Sequence, residues 1–137
     1  MTEALFHPQT NQLNRNYIIA LLEQLTIDYK TAGQDRKQIA AIPSSEEEFN
    51  LLEEVELLTV EIRGYASQIK TRGWIENPQL AIDRLQYLRF FEIPAIAHFF
   101  LNANKNYPQM KAYIRMLDYL RLLLLESLHS QLSNLVM

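Results

Sequence analysis

Residues 43–73 read PSSEEEFNLLEEVELLTVEIRGYASQIKTRG, and this stretch decides the fold class. An apolar residue recurs in it at spacings of 4-3-4-3-4, at Leu51, Val55, Leu58, Ile62, Tyr65 and Ile69. A 3.5-residue repeat places these side chains on one stripe of an α-helix, which another helix must cover. Ser45 and Glu48 match a capping box, and Gly73 is typical of a helix end. The stretch therefore predicts a helix over residues 45–72.

A second helix is predicted over residues 12–32. Its apolar residues repeat at the same spacing as those of the first segment: Ile18, Leu22, Leu25 and Tyr29, with Leu13, Tyr17 and Leu21 widening the stripe. Thr10 or Asn11 can cap its start. Gly33 fits the residue after its end, where the lack of a Cβ permits a left-handed turn. We expect residues 1–11 to be a flexible arm and residues 12–137 to be one domain.

The second half of the chain predicts two more long helices and a short one. Asn77 and Pro78 are typical of a helix start, so one helix is expected at 78–92, where Pro94 interrupts the pattern. Its predicted inner face consists of Ile82, Leu85, Leu88 and Phe91. A short helix is expected near 95–103.

The last predicted helix covers residues 108–135. The leucines at 122–125 are consecutive and surround it, so it is either the central helix of the bundle or part of a subunit interface. No window alternates as a strand would. The fold class is therefore all-α: a compact helical bundle of four main helices.

The composition limits the cellular location and the side-chain chemistry that we expect for the protein. The chain has 137 residues and no cysteine, which excludes disulfides and thiolate chemistry. No apolar run reaches the roughly 18 residues that predict a membrane-spanning helix, and the first twelve residues do not resemble a signal peptide. We therefore expect a cytoplasmic protein without a membrane partner.

The negative charge of the chain is concentrated on one predicted helix. Residues 45–73 contain seven acidic and three basic side chains, whereas the rest of the chain is close to balance and the net charge is −3. Acids near a helix start complement the helix dipole. The simplest interpretation is a solvated helix face; an acidic docking surface is the alternative.

Few residues suggest catalysis or a cofactor. Glu126 and His129 form an E-x-x-H pattern that can share a metal, but di-iron bundles need two such pairs and further glutamates. His98 lies in an apolar stretch, where a lone histidine is more often a hydrogen-bonded boundary residue; its role stays open. The three glycines are isolated, so no phosphate-binding loop is expected. We predict no enzyme activity, no metal and no cofactor, with a metal-dependent enzyme using Glu126 and His129 as an alternative.

A basic and aromatic segment suggests a second alternative. Eight of the fourteen aromatic residues fall between Tyr87 and Tyr119, interspersed with bases across 84–121. Such a face can stack bases and track phosphates, with Lys105, Lys111 and Arg115 as the candidate contacts. The acidic net charge argues against a dedicated nucleic-acid binder. Single-stranded nucleic acid is therefore a partner that we do not favour.

The favoured interpretation is a non-enzymatic helical interaction protein, such as an adaptor, assembly factor or regulatory subunit. It would act through helix–helix contacts and self-associate, with a dimer favoured, while the identity of any protein partner is unknown. The candidate interface residues are apolar residues outside the main stripes, a linker tryptophan and acids of the heptad helix: Leu52, Leu57, Leu122, Leu125, Trp74, Glu46 and Glu53. The acids would select the partner by charge complementarity.

Overall fold

The computed structural model describes residues 10–41, 46–101 and 107–136, apart from the side chains at 46–49, 131 and 133–136. Within these residues the chain forms six α-helices and no strand, which confirms the all-α fold class. The helices are α1 (Gln12–Thr31), α2 (Gly33–Ala40), α3 (Glu46–Arg72), α4 (Pro78–Tyr87), α5 (Pro94–Leu101) and α6 (Pro108–Val136). Most of the predicted arm and the Ser45–Glu48 capping interaction lie outside the described residues.

Helix α6 is the centre of the bundle. It packs against α1, α2, α3 and α4, and four leucines along its inner side are fully buried: Leu117, Leu120, Leu124 and Leu128. The inner side of α6 must be apolar because four other helices pack against it, so Leu124 is buried and Leu123 and Leu125 are partly buried. The central position therefore explains three of the four consecutive leucines, whereas Leu122 is 48 % exposed on an outer face of the helix.

The heptad stripe of α3 forms the seam between α3 and the rest of the domain. Leu51, Val55, Leu58, Ile62 and Ile69 are at most 4 % exposed, and Tyr65 is half-buried. Each fully buried aliphatic side chain contributes roughly 1.5–3 kcal/mol, so this stripe is a principal source of stability. It is covered by α1, α2, α5 and α6 of the same chain.

The two glycines predicted to end helices behave differently. Gly73 follows α3 with φ 86°, a left-handed conformation that a side chain would strain, so the predicted helix end is confirmed. Gly33 was wrongly predicted to take that conformation: it is the first residue of α2. Ala32 makes the bend with φ −80° and donates its amide to the carbonyl of Asp28, so no left-handed residue is needed.

The predicted helix over 78–92 is too long by five residues. Helix α4 ends at Tyr87, Leu88 leaves the helical conformation, Arg89 is extended, and a 3-10 turn follows at Phe90–Glu92. Ile93 must be extended because it precedes Pro94, and the break rotates the chain. As a result Phe90 is buried, while Phe91, the predicted inner residue, is 47 % exposed.

The predicted widening of the α1 stripe is wrong for two residues. Ile18, Leu22 and Leu25 are buried as expected, but Leu13 is 65 % exposed and Tyr17 is 57 % exposed. The neighbours of α1 lie on one side only, so a second apolar face of this helix remains in solvent.

An exposed ion pair joins α3 to α4. The guanidinium of Arg84 donates to both carboxylate oxygens of Glu61, at 2.8 and 2.7 Å. The hydrogen bond from Arg84 holds the pKa of Glu61 below its ordinary value, while partial burial acts in the opposite direction. The charged form of Glu61 is therefore favoured in the folded protein.

We expect Glu61→Gln to reduce the dependence of stability on pH. The pKa of Glu61 is lower in the folded state than in the unfolded state. Ionised Glu61 therefore adds to the free energy of unfolding above the unfolded pKa of about 4.3, and this contribution is lost as pH falls through the folded pKa. The contribution should not exceed about 1 kcal/mol because Arg84 is half exposed. Urea unfolding between pH 3 and 7 measures it. Glu92→Gln, which alters a more exposed pair with Arg89, is the control and should change stability at pH 7 by less than about 0.5 kcal/mol.

Candidate interaction surfaces

The outer face of α3 contains two predicted interface residues. Leu57 is 62 % exposed and Glu53 is exposed, and they lie one turn apart, opposite the buried stripe. Val60, 66 % exposed, continues the same face and was not predicted. A Cβ added to Gly64 would meet no atom within 4 Å, so no described part of the chain covers this point.

A shallow groove of about 380 Å³ begins at this face. It runs between α3 and the start of α5 and is lined by Asn50, Glu53, Glu54, Leu57, Ile93, Pro94 and Ala95. Its walls are both apolar and acidic, a combination that suits a partner with apolar and basic side chains. Glu46 is the first residue of α3, but its side chain lies outside the described residues.

The outer face of α6 contains the next predicted residue. Leu122 is 48 % exposed and lies beside Tyr119, which is 57 % exposed. Leu52 and Leu125 differ from these residues because both are partly buried and pack against the core. The predicted leucines therefore do not form one surface: Leu57 is on α3 and Leu122 is on α6.

Trp74 lies at the end of α3, after the left-handed Gly73. Its side chain is half-buried, and the Arg72 guanidinium carbon lies 4.1 Å from a centroid of its ring. The amide of Thr10 donates to the Gly73 carbonyl at 2.8 Å. The tryptophan is thus held against its own chain and presents only part of its ring to solvent.

The predicted basic and aromatic residues meet at the junction of α5 and α6. Phe100 contacts Phe91 and Phe99 edge-to-face, with centroids 5.1 and 5.7 Å apart. The Arg115 guanidinium carbon lies 4.9 Å from the Phe100 centroid, and Lys111 Nζ lies 5.9 Å from it. The cations therefore occupy a ring face that a base would otherwise stack on. Lys105 lies outside the described residues.

The residues of the metal hypothesis do not assemble a site in the part of the chain that the structure describes. Glu126 and His129 are both exposed on α6, and His129 Nε2 lies 3.2 Å from the side-chain nitrogen of Gln86. No group of three or more His, Cys, Asp or Glu side chains is placed to hold a metal ion among these residues. His98 is exposed on α5.

A larger open pocket, of about 850 Å³, lies at the junction between the end of α4 and the 3-10 turn. It is lined by charged, polar and apolar side chains: Asp83, Gln86, Tyr87, Arg89, Glu92, Ile93 and Pro94. Tyr87 is 86 % exposed, so the pocket is open to solvent on this side.

The outer face of α1 is an apolar surface that was not predicted from the sequence. Leu13, Tyr17, Ala20 and Ile27 are all exposed and share one face of the helix. Their positions fit a heptad repeat in which Gln24 is the one polar member, so the signal was present in the sequence. This face was missed because Leu13 and Tyr17 were interpreted as widening the buried stripe.

No protein-family model matches this chain, and no curated protein or solved structure matches it. None of the helices, as far as their residues are described, combines the length and apolarity needed to cross a membrane.

Proposed function

We propose that this chain is a non-enzymatic helical interaction protein, an adaptor, assembly factor or regulatory subunit, that acts in the cytoplasm and self-associates. One observation carries the proposal. Three helices each present large apolar side chains on the face opposite the core: Leu13, Tyr17 and Ile27 on α1, Leu57 and Val60 on α3, and Tyr119 and Leu122 on α6.

The arrangement of these side chains supports the proposal more than their number does. Isolated apolar residues are normal on a protein surface, whereas aligned apolar residues on a rigid helix form a face that a second helix can cover. On each of the three helices the residues recur at spacings of three or four or their sums, as in helices that pack in pairs.

The acids of α3 give one of these faces a charge preference. Glu53 lies one turn from Leu57, and Glu54 lines the same groove. Charge complementarity with these acids favours a partner helix or segment with basic residues at its apolar edge. The α3 face therefore suits a different protein better than it suits a second copy of this chain.

Self-association is tested by sedimentation velocity of the whole chain between about 1 and 100 μM, the range over which weak dimers dissociate. We expect the weight-average mass to rise toward twice the chain mass of 16.1 kDa. A mass that stays at that of the single chain over the whole range contradicts self-association.

Nucleic-acid binding is the second candidate, and the position of two cations, Lys111 and Arg115, one turn apart on α6 favours it. The paired cations are four residues apart on α6 and partly exposed, so they can meet a phosphate backbone. It ranks second because Arg115 already covers Phe100. A labelled single-stranded oligonucleotide added to the same sedimentation experiment at low salt tests it: co-sedimentation that salt abolishes supports binding.

A further inference from the structure

The outer face of α6 has a charge pattern that the other two faces lack. Its exposed residues recur at spacings of 3-4-3-4-3: Ala112, Arg115, Tyr119, Leu122, Glu126 and His129. The apolar pair, Tyr119 and Leu122, is at the centre. Arg115 lies four residues before this pair and Glu126 lies four residues after it.

Arg115 and Glu126 are available for pairing with another molecule. Neither forms an ion pair with a described residue, and both are exposed. The guanidinium of Arg115 rests over Phe100 and therefore has a defined position. Two other charged residues of α6, Arg121 and Asp118, are paired with each other inside the domain.

We propose that the outer face of α6 binds the same face of a second copy of this chain, antiparallel, about a two-fold axis between Tyr119 and Leu122. This inference rests on the proposed self-association and specifies its surface. The axis brings Tyr119 of each copy against Leu122 of the other. Such pairs form the side-chain layers between two antiparallel packed helices. It also brings Arg115 of each copy opposite Glu126 of the other, so the interface contains two equivalent ion pairs.

The charges select this orientation over the parallel one. A parallel pair would place Arg115 beside Arg115 and Glu126 beside Glu126, and like charges at an interface are unfavourable. The face from residue 112 to residue 129 is about 26 Å long at 1.5 Å per residue. This length is sufficient for an antiparallel pair of α6 helices.

The outer faces of α1 and α3 lack the symmetric charge pattern that supports pairing with a second copy. The α1 face contains no charged residue among Leu13, Tyr17, Ala20, Gln24 and Ile27. The α3 face contains Glu53 without a basic counterpart, since Leu57, Val60 and Gly64 continue it. Only α6, of the three, places opposite charges symmetrically about an apolar centre.

Charge reversal in the full-length protein tests the pairing. We expect Arg115→Glu and Glu126→Arg each to raise the dimer dissociation constant at least about tenfold, because each creates two repulsive contacts per dimer. The double variant Arg115→Glu/Glu126→Arg restores both pairs and should return the constant to within about threefold of the original. Glu53→Arg on α3 changes the charge equally and should have no effect. Circular dichroism should show that all variants remain folded, since these side chains are exposed.

A cross-linking experiment tests the orientation independently, because the chain contains no cysteine of its own. A mixture of Tyr119→Cys and Leu122→Cys proteins should form a disulfide-linked dimer faster than either protein alone. Faster linkage in either single variant contradicts the antiparallel pairing. A dimer that is insensitive to both charge reversals, or is weakened by Glu53→Arg, overturns this inference and leaves self-association intact. A protein that is monomeric throughout overturns both.

Discussion

Arg121→Ala is expected to lower the free energy of unfolding by about 3–5 kcal/mol, the loss typical of removing one partner from a buried ion pair. The Arg121 side chain is 10 % exposed, and its Nε donates to Asp118 at 2.8 Å. Its Nη1 donates to the Leu85 carbonyl at 2.8 Å, and its guanidinium lies over Phe90. One side chain thus joins α6 to the end of α4 and to the 3-10 turn.

The cost arises from the groups that Arg121 leaves behind. Asp118, whose side chain is 14 % exposed, would lose its cation without gaining water. The Leu85 carbonyl would keep only the amide of Leu88, at 3.3 Å. Urea unfolding at a single protein concentration measures the change, because dimerisation makes stability depend on concentration.

Two variants make this expectation falsifiable. Arg89→Ala removes an exposed arginine from the same region and should change stability by less than about 0.5 kcal/mol. Asp118→Leu/Arg121→Met replaces the whole pair by apolar side chains and should recover most of the loss. A loss below about 1 kcal/mol for Arg121→Ala would show that water reaches Asp118.

Asp35→Ala is expected to cost about 2 kcal/mol, through the start of α6. The carboxylate of Asp35, on α2, accepts the backbone amides of Gln109 and Met110, both at 3.0 Å. These amides belong to the first turn of α6 and have no partner within that helix. Asp35 is 8 % exposed, and its charge lies at the positive end of the longest helix.

A local measurement separates the loss of this cap from general destabilisation. In Asp35→Ala, the amide hydrogens of Gln109 and Met110 should exchange with solvent faster than those in the middle of α6. Asp35→Asn keeps one acceptor oxygen and loses the charge, so we expect roughly half the loss. Asp83→Ala removes an exposed carboxylate of α4 and is the control. Unchanged stability and exchange in Asp35→Ala would exclude this role.

Helix ends were predictable where they depend on local backbone geometry and unpredictable where they depend on distant residues. The C-terminal end of α3 and the start of α4 were predicted because Gly73 and Pro78 act through their own backbone geometry. The end of α4 was not predicted, because it depends on the burial of Phe90 in a core that other helices form. The roles of Asp35 and Arg121 were missed for the same reason: Asp35 binds an amide 74 residues away, and Arg121 binds a carbonyl 36 residues away in addition to its neighbour Asp118.

The candidate surfaces were predictable in part. Leu57 and Leu122 lie outside the main stripes and are exposed, whereas Leu52 and Leu125, chosen on the same ground, pack partly against the core. Residues next to a buried stripe are covered or exposed according to the width of the neighbouring helix, and periodicity contains no information on that width.

The presence of the long helices and the burial of the α3 stripe could be predicted from the sequence alone. Helical periodicity and end signals are local properties, and an apolar stripe has to be buried whatever covers it. Tertiary packing chose between the two apolar faces of α1, one through Ile18 and Leu22 and one through Leu13 and Tyr17. Both faces satisfy the same periodicity, so only the positions of α3 and α6 decide which one enters the core and which one stays available to a partner.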